Sequence, residues 1–294
     1  MAIREGSAGV TASIPARGIL PRYPLFLFFG MAYVFTWVAV SPMILNRVGV
    51  IRLDLPVELI QIVGALAGPA LAGVIVTAGT EGWAGVGRLL RRVIQWKVGI
   101  VWYLVLLLGP LVVLTLTASA FLGMSFLRDF LDGLPLLLAQ YLPFVLVGVI
   151  FGPLWEEIGW RGVALPRLQR TLGPVMGTLV LGSLWAAWHL PGYVGGWLGS
   201  FTLSSFLALI VGGIGFSVLM TWIFNNTSGS LLIMILLHSA SNASIAFGGQ
   251  FLPSTMTAAV RPVIEGGWIP AVTYTICAIV VLLLTRGRLS YAGE

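Results

Sequence analysis

Charge is what this sequence has least of. Only 9% of its 294 residues are Asp, Glu, Lys or Arg, against roughly 25% in soluble domains. Hydrophobic residues make up 58%, and mean hydropathy is +1.00. That balance excludes an ordinary soluble domain and implies a polytopic membrane protein. Cysteine is nearly absent: Cys277 stands alone in an apolar run, which excludes a disulfide framework or a Cys-based metal site within one chain. A secretory signal is also missing, because residues 1–22 carry Arg4, Arg17 and Arg22 and no apolar core of sufficient length. The net charge of +6 and pI near 10 are compatible with nucleic acid. However, the Lys and Arg fall in short loops between apolar runs, where anionic lipid headgroups are the expected partner. Nucleic-acid binding is set aside.

Long apolar runs are what the chain does contain. A bilayer core needs about 20 apolar residues per helix, and eight stretches qualify: 24–45, 57–78, 98–122, 134–156, 174–193, 203–224, 229–248 and 268–285. No run alternates with the period of a barrel strand, and unpaired backbone is not tolerated in lipid, so these are expected to be helices. The expected fold is all-α, a polytopic membrane bundle of about eight transmembrane helices. Residues 1–22 form an N-terminal tail, 23–286 one membrane-embedded domain and 287–294 a C-terminal tail, with no loop long enough for a soluble domain. Gly64 and Gly68, and again Gly195 and Gly199, have the GxxxG spacing that suits close helix contacts. Twelve of the 16 Lys and Arg fall on one side of this layout. Only Arg47, Arg52, Arg128 and Arg261 fall on the other. The positive-inside rule then places both termini in the cytoplasm and the protein in the cell membrane. The segment GVGRLLRRVIQWKVG, with Arg88, Arg91, Arg92 and Lys97, reads as an interfacial stretch on the cytoplasmic side.

Against this background the few polar groups stand out. LWEEIGWRG places Glu156 and Glu157 side by side at the end of an uncharged run, and carboxylates in a low-dielectric medium are costly unless paired or put to use. Glu157 and Arg161 are four apart, in the favoured order of acid before base, and should pair. Glu156 points about 100° away around the helix and is left without a cation. From Thr171 to Val260 there is no Asp, Glu, Lys or Arg, yet both histidines, His189 and His238, lie there. Intramembrane histidines are functional candidates, and two in separate helices point to one shared site. His238 and Asn242 share a helix face one turn apart, a pair of donors such as an oxyanion needs. As packing groups, the same residues would serve as interhelical hydrogen-bond links.

In order along three apolar runs, E-E-x-x-x-R at Glu156, Glu157 and Arg161, an aromatic-x-x-x-His at Trp185 and His189, and H-x-x-x-N at His238 and Asn242 resemble the CPBP family of intramembrane proteases. That family includes the type II CAAX prenyl endopeptidases and bacteriocin-processing or immunity proteins. The likeness covers roughly residues 140–245, and the GWRG continuing into VALPRLQ fits it as well. One departure is visible: the second motif usually begins with Phe and here begins with Trp185, whose packing role is expected to persist.

The resemblance implies a membrane-embedded endopeptidase in which Glu156 and His189 activate a water while His238 and Asn242 stabilise the oxyanion. Its substrate would be a membrane-associated or lipidated peptide, prenylated at a CAAX terminus in part of the family. Desolvation makes an unpaired carboxylate a better base, in agreement with that role for Glu156. Glu157 and Arg161 are then structural. Two imidazoles and a carboxylate also match a catalytic zinc site with one open position, for which Glu156, His189 and His238 would be the ligands. With no H-E-x-x-H and with Glu157 committed to Arg161, a glutamate mechanism without cofactor is preferred over a divalent metal such as zinc.

Other classes fit less well. An aspartyl protease needs two membrane Asp, and Asp54, Asp129 and Asp132 are expected in loops. A rhomboid-like serine protease needs G-x-S-G, and Ser228 in NTSG lacks the first Gly and belongs to a turn. A proton-coupled carrier could relay through Glu156, His189 and His238, but no internal repeat and no broken helices in corresponding halves are seen. A catalytically silent scaffold or immunity factor would be expected to have lost part of the motif set. By simple counting Glu156 lies at the cytoplasmic end of the fourth span, while His189 lies ~22 Å into the fifth. The motifs can therefore meet only if one helix is redrawn, within a water-filled cavity expected to open to the cytoplasm.

Overall fold

The computed structural model describes residues 22–253, 257–258 and 260–293. The N-terminal tail expected over 1–22 lies outside these residues, apart from Arg22. Among them there is no strand. The chain forms α1 (Pro24–Arg47), α2 (Val57–Ile94), α3 (Ile100–Leu122), a short α4 (Met124–Asp132) and α5 (Leu134–Phe151). Then come α6 (153–172), α7 (Pro174–Trp188), a single turn α8 (Leu190–Gly195), α9 (Leu203–Asn226), α10 (Leu231–Gly249), a short α11 (Arg261–Glu265) and α12 (Trp268–Leu284). All eight expected runs are helical, and six helices (α1, α2, α3, α5, α9 and α10) are long and apolar enough to cross a membrane. Asp129 and Asp132 were expected in a loop; they lie on α4 instead.

The lipid-facing surface explains why hydrophobic periodicity says little here. On α3, Leu104, Leu108, Val112 and Leu116 form an exposed stripe while Leu106, Leu114 and Ala118 are buried, so both faces are apolar. A helix that is hydrophobic all round is expected when its outer solvent is hydrocarbon. Packing inside relies on close approach. Gly64 and Gly68 of α2 lie against Thr36 and Val40 of α1, with no room for a side chain. Gly195 and Gly199 make no such helix contact: Gly195 packs on Trp197, and Gly199 borders open space.

Prolines shape the helices. Pro166 cannot donate to the carbonyl of Gly162, and a π-helical turn over Trp160–Ala164 precedes it. The freed Gly162 carbonyl accepts from Arg92 Nη1 at 3.2 Å, and Arg92 Nε donates to the Gly229 carbonyl at 2.8 Å. At the same end, Glu81 pairs with Arg88 at 3.0 Å and Arg167 at 2.7 Å. Asn225 Nδ2 donates to the carbonyl of Leu289 at 2.8 Å, and Leu289 is fully buried, so the C-terminal tail is docked there. This is the basic end of the bundle. α2 breaks at Gly82, in the left-handed region at φ 67°, and its remainder buries Val86 and Leu89 with Leu90 exposed, as an interfacial stretch would. At the far end, Trp268 Nε1 donates to Ser204 Oγ at 2.9 Å, and Phe130 meets Phe251 at 5.5 Å between ring centroids.

α10 runs from the basic end to the far end and serves as a depth ruler. Leu231 lies beside Gly162, His238 Nδ1 meets Glu157, Ser239 Oγ donates to the Val145 carbonyl, and Phe247 packs on Phe130. Glu157 is therefore ~10 Å along α10 from its first residue, about half-way through the bundle. It does not lie at the cytoplasmic end of a span, where simple counting puts it. The run 134–156 is not one helix: Gly152 leaves the helical conformation at φ 169° and ψ −60°, and Pro153 starts a new helix at its first position. Val145 and Glu157 share one depth, so the chain steps sideways at Gly152 before α6 descends to the basic end. The fifth run is broken as well. α7 stops at Trp188, and its last carbonyls accept from Tyr33 Oη (Leu184, 2.5 Å), His189 Nδ1 (Trp185, 2.9 Å) and Trp37 Nε1 (Trp188, 3.1 Å).

Candidate active site

Two helix interruptions place the acidic and first histidine motifs at one depth, and α10 supplies the third. Glu156, His189, His238 and Asn242 all line one cavity of about 530 Å³, a size usual for ligand sites. Trp185 is its hub. The indole Nε1 donates to Glu156 Oε2 at 2.7 Å, and the ring meets His189 edge-on at 5.2 Å and His238 at 5.4 Å between centroids. On its other side the Arg161 guanidinium lies 4.9 Å from the ring centroid. Glu156 is 6% exposed, and its other oxygen faces Gly152, where a side chain would collide with it.

Glu157 and Arg161 sit behind the cavity wall, both fully buried. Arg161 Nη1 donates to Glu157 Oε1 at 3.1 Å, Nη2 to Ser217 Oγ at 3.2 Å, and the same Oε1 meets His238 Nδ1 at 2.8 Å. The second oxygen of Glu157 has no partner among the described residues. The paired carboxylate thus anchors the second histidine as well as the arginine. The two partners are 81 residues apart in the chain, so local spacing gives no sign of this link.

The hydrogen-bond partners assign ring nitrogens. The Trp185 carbonyl can only accept, so His189 Nδ1 carries hydrogen and the neutral ring keeps its lone pair on Nε2. His238 Nδ1 faces a carboxylate and donates, which leaves Nε2 for the cavity. Asn242, one turn along, is exposed within the lining, and Ser241 beside it contacts the Tyr274 hydroxyl. Ser217 and Tyr274 were not anticipated; nothing in their local sequence distinguishes them from other polar residues of apolar helices.

Residues 138–244, which span all three motifs, match the family model described as type II CAAX prenyl endopeptidase Rce1-like. That stretch, a little over a third of the chain, is similar to the CPBP family of membrane proteases. No curated protein matches it at a significant level. The matched stretch runs from α5 into α10 and contains both helix interruptions and Glu156, His189 and His238. A zinc ion held by those three side chains was the alternative reading of the motif. Among the described residues no three His, Cys, Asp or Glu side chains group as metal ligands.

Proposed function

We propose that this protein is an intramembrane endopeptidase of glutamate type that cleaves a peptide bond of a membrane-associated protein or peptide. The observation that carries the reading is the Glu156 carboxylate, half-way through the bundle, on a cavity wall shared with His189, His238 and Asn242. A water held between Glu156 and His189 Nε2 loses a proton to Glu156 as it attacks the scissile carbonyl. Trp185 Nε1–H keeps the carboxylate turned to the cavity. The developing oxyanion takes hydrogen bonds from the Asn242 amide and from His238. Donation by His238 requires a proton on Nε2 as well, and Glu157 at 2.8 Å is the counter-charge such an imidazolium needs. Preorganised donors of this kind are worth about 3–4 kcal/mol each in a dry site. The proton on Glu156 then passes to the leaving amine, and the site is restored.

The test is cleavage of apolar peptides anchored in liposomes, read by mass spectrometry, with and without a strong chelator and with metal content measured on the same preparation. The proposal expects unchanged turnover in chelator and no stoichiometric metal. Turnover abolished by chelator and restored by zinc would replace it with a metalloprotease.

A further inference from the structure

The cavity that holds the catalytic groups does not run toward the basic end. Its remaining wall comes from the far half of the bundle: Thr36 and Val40 of α1, Gln61 of α2, Ser205 near the start of α9, and Glu265 and Gly267 beside α12. No residue of the Glu81, Arg88, Arg92 and Arg167 region lines it. Between the site and that region the interior is closed by Trp160, Arg161, Leu165, Leu231 and Met234, all fully buried. The expected opening toward the side of the arginine-rich loops is therefore reversed.

We propose that the site is served from the far end, and that this end faces away from the cytoplasm. Its substrate is then a membrane-anchored peptide whose scissile segment has already crossed the bilayer. The assignment rests on the protease reading above. Its second premise is the charge distribution: Arg88, Arg91, Arg92, Lys97, Arg167, Arg170, Arg286 and Arg288 belong to the basic end, against Arg47, Arg52, Arg128 and Arg261 at the other. Positive residues in short loops mark the cytoplasmic side. The wall also selects by chemistry. Val40, Ala65, Leu209, Ile245 and Ala271 make it apolar above the polar floor. From Phe216 to Ser205 the cavity follows α9 for ~16 Å, which accommodates about five residues of extended chain. The scissile bond would lie within about five residues of the point where an apolar segment enters the mouth. A lipidated C-terminus confined to the cytoplasm could not reach Glu156.

Sidedness is testable without any cleavage assay. In a Cys277→Ser background, Ile245→Cys reports on the cavity, Ser200→Cys on the far end and Arg88→Cys on the basic end; all three positions are exposed. Intact cells are treated with a membrane-impermeant sulfonated thiol reagent before and after permeabilisation. Ile245→Cys and Ser200→Cys are expected to react in intact cells, and Arg88→Cys only after permeabilisation. Reaction of Ile245→Cys only after permeabilisation, together with Arg88→Cys, would overturn the proposal, as would its failure to react from either side. The modified Ile245→Cys protein is then assayed on liposome-anchored peptides, where loss of turnover is expected. If the labelling pattern holds but no unmodified variant cleaves any peptide, the protease reading fails while the sidedness of the cavity stands.

Discussion

Trp185 shows how much one atom changes the reading of a motif. As an aromatic it fills the space that a phenylalanine would fill, which is all the sequence comparison assigned to it; its Nε1–H at 2.7 Å from Glu156 is additional. A hydrogen bond to a charged group is worth about 1.5–3 kcal/mol. Trp185→Phe keeps the ring and is expected to lower kcat roughly 10- to 100-fold by that energy, with KM little changed. A change confined to KM would show that the indole contacts substrate and does not position the base. Arg161 carries the opposite kind of load. Removing it leaves Glu157 buried without its cation, a loss of about 3–5 kcal/mol for a broken buried pair. Arg161→Ala should lower the midpoint of thermal unfolding in detergent, whereas Glu156→Gln should not. At this scale the sequence was informative because charge is so rare: Glu156, His189, His238 and Asn242 were identifiable as polar residues with no reason to lie in lipid. The bonds from Trp185 to Glu156 and from His238 to Glu157 were not, since contacts between distant helices leave no trace in local spacing.

Interruptions do at the element level what individual residues cannot. α5 and α6 are separated at Gly152, α7 ends at Trp188, and each break falls at the depth of the site. The Gly-Pro pair at 152–153 signals the first break in the letters themselves, yet hydropathy runs through it and made one long span of two helices. That merging produced the apparent misalignment in depth between Glu156 and His189, and redrawing both helices removes it. Gly152→Ala tests the coupling between break and site, because a methyl group there would meet Glu156 Oε1 at 2.8 Å. Activity should fall sharply while thermal stability changes little. Gly159→Ala should do the reverse, since its methyl group would meet the Pro69 carbonyl of α2 at 2.3 Å. Overpacking of that kind costs about 1–3 kcal/mol, read as a lower unfolding midpoint. Loss of activity without loss of stability in Gly159→Ala would place the α2–α6 contact in the catalytic machinery instead.

Taken whole, the molecule is a bundle whose apolar exterior suits lipid and whose interior holds an acid, two imidazoles and an amide around one cavity. The all-helical class and the positions of the apolar runs were legible from composition alone, because a chain this poor in charge has few alternatives. The direction in which the cavity opens was not, since it depends on which helix halves stand apart. The measurement that bears most directly on the central claim is the rate at which purified protein cleaves liposome-anchored apolar peptides, compared between the unaltered chain and Glu156→Ala at matched folding. The account predicts turnover in the first and none in the second. Equal rates in the two proteins would contradict it.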